Sequence, residues 1–209
     1  MLKKVIIFDF DGVIVDTIQL SYSANKDLLP DLELSEWRSW SNGNFHAALA
    51  ARADLQFLFS GNNIGHYRNK YNKGVLEIPP INGISEVVHK LHKDYILAII
   101  SSNSQGPIES YLQKYNLFSY FSDILGEETH KSKVVKFQMI VDKHKIEPDE
   151  ILIITDSLGD IIEANEAGIK SIGVIWGVHD SGTLNRANPH LIVASPSELV
   201  EGVKSVIGV

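Results

Sequence analysis

Four aspartates, a hydroxyl-bearing turn and a pair of lysines stand where this chain could do chemistry, each just after a short apolar run. Asp9-Phe10-Asp11-Gly12 follows residues 5–8, Ser101-Ser102-Asn103 follows 96–100, Lys131 and Lys133 follow 124–125, and Thr155-Asp156-Ser157-Leu158-Gly159-Asp160 follows 151–154. Carboxylates held close together repel one another, so such a cluster needs a cation, and an all-oxygen ligand set favours Mg2+. Magnesium keeps several waters and takes few protein ligands, which suits a substrate that brings phosphate oxygens of its own. An aspartate can attack phosphorus and carry the phosphoryl group as an acyl phosphate, dividing one hard displacement into two. A second carboxyl two residues on can protonate the leaving oxygen and then deprotonate the attacking water. Gly12 permits the sharp turn that lets Asp9 and Asp11 face one pocket. A hydroxyl of the Ser101-Ser102-Asn103 turn and an ammonium can bind the remaining phosphoryl oxygens.

Taken singly, each of these residues has an ordinary reading. One Asp after a strand is commonly a turn residue or helix N-cap. Asp9-x-Asp11-Gly12 could open a calcium loop, but the sixth position is Ile14 and the twelfth, Leu20, carries no carboxylate. Ser102-Asn103 alone is a turn signal, Lys131 alone a solvated surface lysine, and Asp160 alone an acid that favours a helix N-terminus. Their joint occurrence, in order and each at the end of an apolar run, is what points to a site.

The elements that must position them follow from the same runs. Residues 5–8, 96–100, 124–125, 151–154, 172–175 and 191–193 are too continuously apolar for half-buried strands and read as strands covered on both faces. Between them, 83–93, 107–115, 132–144 and 159–168 read as helices, with Gly168 as a stop. Alternating strands and helices predict an α/β fold, a doubly wound, mainly parallel Rossmann-like sheet. In such sheets the working residues lie beyond the carboxyl ends of the strands, where the acidic and hydroxyl residues fall. Residues 17–79 contain no convincing strand and two of the three tryptophans, while 21–29, 45–59 and 64–73 look helical. The expected organisation is a catalytic core of 1–16 and 80–209 with a helical cap of 17–79 inserted after the first strand.

Composition narrows the class further. The 209 residues are 44% hydrophobic and 22% charged, a globular balance. With 19 basic against 26 acidic residues the formal charge is −7, which disfavours nucleic acid and anionic membranes as partners. There is no cysteine, so disulfides, thiolate metal sites and cysteine nucleophiles are excluded. No apolar stretch has the length to span a bilayer, and Asp9 interrupts the first one before it could serve as a signal-peptide core. A cytoplasmic protein acting on a small phosphorylated metabolite is expected.

The segment Phe8-Asp9-Phe10-Asp11-Gly12-Val13-Ile14-Val15-Asp16-Thr17 resembles the first motif of the haloacid dehalogenase-like superfamily. Ile99-Ile100-Ser101-Ser102-Asn103 is similar to the second, with Ser102 at the motif hydroxyl; Lys131 resembles the third, and Asp156-Ser157-x-x-Asp160 the fourth. Gly173-Val174-Ile175-Trp176-Gly177 and Ser195-Pro196-Ser197-Glu198-Leu199 are similar to the phosphoglycolate phosphatase-like branch. The resemblance spans nearly the whole core and implies a helical cap, Mg2+ dependence and an aspartyl-phosphate intermediate. It implies Asp9 as nucleophile, Asp11 as acid and base, and Ser102, Asn103 and Lys131 on the phosphoryl oxygens. The metal would be held by Asp9, Asp11 through its main-chain carbonyl, Asp156 and Asp160. Asp11 is the residue that dehalogenases of the superfamily lack, so a phosphatase is implied. Two positions depart from the pattern: Thr155 replaces the usual glycine and Ser132 the usual proline.

Three other readings share these residues. A phosphomutase would use the same core and return the phosphoryl group. A receiver domain pairs acids, a hydroxyl and a lysine, but needs neither Asp11 nor an insertion. A non-catalytic binding protein would have no reason to keep all four motifs. Between the two lysines, Ser132 as N-cap of a helix starting at Lys133, with Val134, Phe137, Ile140 and Val141 on its buried side, leaves Lys131 in the loop. Lys131 is therefore the expected phosphate ligand. Contacts to the rest of the substrate would come from the cap, with Trp40-Ser41-Asn42-Gly43-Asn44, His46, Arg52 and Arg68 as candidates.

Overall fold

The computed structural model describes residues 4–44, 46, 51–52 and 55–208. Strand β1 (Val5–Phe8) is buried along its whole length, with Ile6 and Phe8 in one apolar layer and Val5 and Ile7 in another. A strand with water on neither face has no polar positions to alternate, which explains the unbroken apolar run. Strands β2 (Ile96–Ile100) and β4 (Ile151–Thr155) flank β1 in parallel and share its two-layer burial. With β3 (Phe121–Leu125), β5 (Lys170–Val174) and β6 (Leu191–Val193) they form one sheet in the order β3-β2-β1-β4-β5-β6. Every pairing within that sheet is parallel, the doubly wound arrangement expected of the sequence.

Strand β3 starts three residues before the expected 124 because a charge interrupts its pattern. Asp123 is buried and faces the end of a flanking helix, where it accepts from Lys143 at 2.5 Å and pairs with His144 at 2.8 Å. A paired carboxylate can lie in a strand interior that an unpaired one could not. The apolar-run criterion had no means of seeing that partner.

Between β1 and Pro80 the chain forms α1 (Ile18–Lys26), α2 (Leu34–Ser39) and α3 (Gly61–Val75). Of the expected helix 45–59, residues 45, 47–50 and 53–54 lie outside the described residues, and Gln56–Phe59 is a 3-10 turn. Leu32, Trp40, Leu55 and Leu58 form a small apolar core of this insertion's own, with Tyr22, Leu28, Leu29 and Trp37 against it. The base of α3 is different: Tyr71 and Val75 belong to the main core. The chain leaves and re-enters the sheet at adjoining points, since Val15 bridges Pro80 and the Ile81 N–H donates to the Ile14 carbonyl at 2.9 Å.

The sheet's two faces are covered by helices from the rest of the chain. Helices α4 (Ile84–Leu91), α5 (Gln105–Lys114) and α9 (Leu199–Ile207) bury Val87, Leu91, Ile108, Leu112, Leu199 and Val203 against Ile6, Phe8, Ile99 and Ile154. Helices α6 (Lys133–His144) and α7 (Leu158–Glu166) set Phe137, Ile140 and Ala164 on Val5, Ile7, Ala98 and Ile153. A short α8 (Ser181–Asn185) packs Leu184 on Ile161. Each apolar layer is thus closed by helices whose stripes match the strand faces.

Ile99 sits fully buried at the centre of the larger layer. Ile99→Ala should cost about 2–5 kcal/mol through lost transfer energy and the cavity left behind. A urea unfolding midpoint that falls with an unchanged slope would be the expected observation; an unmoved midpoint would mean the layer repacks freely.

Candidate active site

Parallel pairing in level register delivers three strand ends to one rim. Phe8 lies opposite both Ile99 of β2 and Ile154 of β4, so Asp9, Ser101 and Asp156 emerge beside one another just beyond them. The strand order reverses direction between β1 and β4, the place where doubly wound sheets open a crevice. Asp9 is buried there: its N–H donates to the Ile154 carbonyl at 2.9 Å, and its Oδ1 accepts from the Phe10 N–H at 2.7 Å. Asp156 is buried beside it, and its Oδ2 accepts from the Val178 N–H at 2.6 Å.

Two glycines make room for Asp156. Gly12 takes φ +72, and a Cβ placed there would lie 1.9 Å from Asp156 Oδ2. A Cβ on Gly177 would lie 2.2 Å from the same side chain. Gly12 is required both by its backbone conformation and by this approach. Gly177 is required by the approach alone, a role that its place in a sequence pattern did not disclose.

The structure reverses the expected order of the lysines. Lys133, only 2% exposed, donates from Nζ to Asp160 Oδ2 at 2.6 Å and lies 2.9 Å from Asp9 Oδ2. Lys131 is on the cavity rim with its side chain 60% exposed, and its ammonium pairs with Glu127 at 3.0 Å. The physical reason lies in α6. Its buried positions are Lys133, Lys136, Phe137 and Ile140, an i, i+3, i+4, i+7 stripe that carries both lysines inward, with Val141 packed at its edge and Val134 partly buried. Ser132 occupies the N-cap position, but its side chain does not cap the helix. It donates to Glu163 Oε1 at 3.2 Å, and the same oxygen accepts the Lys133 N–H at 2.9 Å. A carboxylate from α7 therefore anchors the first turn of α6 and with it the stem of Lys133.

Asp11 stands apart from this group. Its Oδ1 accepts from Thr17 Oγ1 at 2.6 Å and from Tyr71 Oη at 2.5 Å, and its Oδ2 from Asn103 Nδ2 at 3.3 Å. Asn103 is held in turn, its N–H donating to Ser101 Oγ at 3.0 Å. Ser101 is buried and spent on that turn, while both it and Ser102 line the cavity. Behind the turn, Lys136 donates to the Ser101 carbonyl at 2.6 Å.

Electrostatics divide the acids. Burial pushes Asp9 well above the usual carboxylate range, and Asp160 and Asp156 add to the rise against Lys133. Burial likewise pushes Asp156 up to about 7. Burial also works against ionised Asp160, but the Lys133 ammonium, together with hydrogen bonds from Asp9, Lys133 and Thr155, outweighs it and holds this carboxyl below the usual range. Lys136 is pushed down to about 8 by burial and by neighbouring Lys133. Two carboxylates are thus left where ionisation needs a further cation, the condition under which a divalent ion fits. Among the described residues no group of three or more His, Cys, Asp and Glu is arranged to hold a metal. Asp160 Oδ2 is taken up by Lys133 and by Thr155 Oγ1, the latter at 2.7 Å, and the Asp11 carboxylate by its three donors. The residues fit a magnesium held by Asp9 and Asp156 with the remaining positions left to carbonyl, water and substrate.

A cavity of about 500 Å3 opens over these groups, lined on the far side by residues of the insertion. The cap candidates separate into distinct fates. Ser41, Gly43, His46 and Arg68 line the cavity, whereas Trp40 is buried in the insertion's own core. Asn42 is exposed, and Arg52 pairs with Glu36 at 3.4 Å over a separate small hollow. Asn44 Nδ2 reaches the core, donating to Glu163 Oε1 at 3.0 Å and to the Lys131 carbonyl at 3.3 Å. The Ser41 carbonyl accepts from the Gly159 N–H at 3.0 Å and from Ser157 Oγ at 3.1 Å. Thr17, Tyr71, Glu163 and Gly177 were not foreseen; the buried stripe of α6 was the one available signal for Lys133.

A sequence model described as haloacid dehalogenase-like hydrolase matches residues 6–174. A protein of Synechococcus elongatus named phosphoglycolate phosphatase is 24% identical over 213 aligned residues, covering 98% of this chain and 99% of its own. Among solved structures, a haloacid dehalogenase-like family hydrolase from Streptococcus pneumoniae superposes with a TM-score of 0.77 at 22% identity, covering 96% of this chain and 98% of its own. A structure from Clostridium acetobutylicum described as a predicted phosphatase gives 0.81 at 21% identity, covering 98% and 100%.

The lysine geometry is open to a direct check. Lys133→Met should lower phosphomonoester turnover by roughly 10²–10³, the scale of losing one preorganised charge-stabilising donor. Lys131→Ala should cost less than about tenfold, as expected for an exposed ion pair at the rim. Equal losses in the two variants would contradict the assignment.

Proposed function

The chain belongs to the haloacid dehalogenase-like hydrolase family, and from that premise we propose a Mg2+-dependent phosphatase that hydrolyses a small phosphate monoester through an aspartyl-phosphate on Asp9. The observation that carries this reading is the split between two acids in one turn. Asp9 is buried against Lys133 and Asp160, while Asp11 is gripped by hydroxyls and an amide. Carboxyls two residues apart in such different surroundings are suited to different tasks, one as nucleophile and one as acid and base.

In the first step an Asp9 oxygen forms a bond to phosphorus as the ester oxygen leaves and takes a proton from Asp11. In the second, water attacks phosphorus, its proton passes to Asp11, and the Asp9–phosphorus bond breaks. Lys133, Ser102 and Asn103 would hold the phosphoryl oxygens. Asp9, Asp156 and the main-chain carbonyl of Asp11 would hold magnesium, which when bound would neutralise phosphoryl charge. Asp160 acts through Lys133, whose ammonium it orients at 2.6 Å. Residues 17–79 serve as a cap that closes the site and contacts the leaving group. Phosphoglycolate is the first substrate to try, because a relative named for it aligns over the whole chain. A cytoplasmic location agrees with this substrate class and with the absence of cysteine.

Asp9→Asn should abolish release of inorganic phosphate from every substrate, and chelation of Mg2+ should do the same to the wild type. Retained turnover in either experiment would exclude the mechanism. Asp11→Asn should instead depend on the leaving group. Its kcat/KM for alkyl phosphates should fall by roughly 10²–10⁴, the usual contribution of a general acid, while an aryl phosphate should still phosphorylate Asp9 and leave phosphoenzyme to accumulate. A variant that slows both substrate types alike would remove Asp11 from the acid–base role.

A further inference from the structure

A fully buried tyrosine of the insertion has its hydroxyl on the one acid that the mechanism requires to give and take protons. Tyr71 of α3 is 0% exposed and packed in the main core, where a phenylalanine would serve equally well for packing. Burying a phenolic hydroxyl is unfavourable unless it is satisfied, and here it is satisfied by Asp11 Oδ1. Tyr71 is not among the described residues that line the cavity, so it reaches the reaction only through that carboxylate.

The hydroxyl belongs to a wider brace. Tyr67, one helical turn earlier, stacks on Tyr71 with ring centres 5.9 Å apart and planes 15° from parallel. Its own hydroxyl lies 3.5 Å from Ser21 Oγ. Asn103 donates to Asp11 Oδ2 at 3.3 Å, while Thr17 joins Tyr71 on Oδ1. Both oxygens of Asp11 are therefore held, Oδ1 by Thr17 and Tyr71 and Oδ2 by Asn103. Burial and the neighbouring Asp11 raise Tyr71 well above the ordinary phenol range, so it stays a donor through neutral pH.

We infer that Tyr71 is a positioning residue for Asp11, fixing the carboxyl rotamer from which the proton reaches the leaving oxygen. This rests on Asp11 being the acid–base residue. An aspartate side chain on a turn has two rotatable bonds, and proton transfer demands hydrogen-bond reach of the leaving oxygen. Two donors on Oδ1, from the start of the insertion and from α3, remove that freedom.

The test compares an alkyl phosphate that the wild type hydrolyses with 4-nitrophenyl phosphate, in Tyr71→Phe and Asp11→Asn side by side. For Tyr71→Phe, kcat/KM on the alkyl substrate should fall roughly tenfold, part of the full contribution of a general acid, and that on the aryl substrate should stay within about twofold. A merely structural role would move both substrates together. Equal losses, or no loss on either substrate, overturn the inference. If Asp11→Asn itself fails to discriminate between leaving groups, the acid–base reading falls and takes this inference with it. Should Tyr71→Phe not fold, Thr17→Val removes the other donor to the same oxygen and must show the same leaving-group pattern; its failure to do so counts against the inference.

Discussion

The buried ammonium of Lys133, shared between Asp9 and Asp160, is the interaction on which the rest of the centre depends. Carboxylates this deeply buried cannot remain charged side by side without compensation, and removing one partner of such a group typically costs about 3–5 kcal/mol. Much of the surrounding structure therefore serves to hold that nitrogen in place. Thr155 fixes Asp160 from the strand end, and Glu163 fixes the first turn of α6 through the Lys133 N–H. Lys136, on the same helix face, ties α6 to the Ser101 carbonyl and so to the turn that carries Ser102 and Asn103. One helix thereby sets the distance between the ends of β1, β2 and β4.

The parallel sheet supplies the frame for this arrangement. Level pairing of β1 with both neighbours places three strand ends side by side, and burial of both faces prevents any slip of register without exposing a full apolar layer. Close approach then requires the absence of side chains in two places, Gly12 and Gly177, between which Asp156 is seated. A methyl group at either would displace the carboxylate that, with Asp9, fits a divalent ion.

The insertion meets this frame through backbone as much as through side chains. The Ser41 carbonyl caps onto Gly159 and Ser157, the Arg38 carbonyl lies 3.3 Å from His179 Nε2, and Asn44 shares Glu163 with the first turn of α6. Gly159 has to be a glycine because Gly43 lies against it, with a Cβ reaching within 2.1 Å of the Gly43 carbonyl oxygen. The Glu163 carboxylate thus answers both to the insertion, through Asn44, and to the helix that carries the lysine. A contact made by the insertion is in this way mechanically joined to the Lys133 end of the site.

What could be read in the chain by itself was what short-range pattern encodes. Continuous apolar runs imply strands covered on both faces, and acids and hydroxyls that recur just past those runs must gather on one rim whatever the loops do. That pattern puts Asp9, Asp11, the Ser101-Ser102-Asn103 turn, Asp156 and Asp160 on one rim, where they line the cavity, and marks an insertion where the alternation lapses. The facing of side chains was decided by tertiary packing. Lys131 and Lys133 are separated by one residue, and choosing between them required knowing which face of α6 meets the sheet; the stripe through Phe137 and Ile140 carries Lys133 inward, and only a buried carboxylate pair makes that tolerable. Tyr71 lies 60 residues from Asp11 and Glu163 lies 30 from Lys133, separations at which no local periodicity operates. Strand ends are a property of the chain, whereas the partner of a buried charge is a property of the fold, because it is set by whatever else the collapse brings within hydrogen-bond reach.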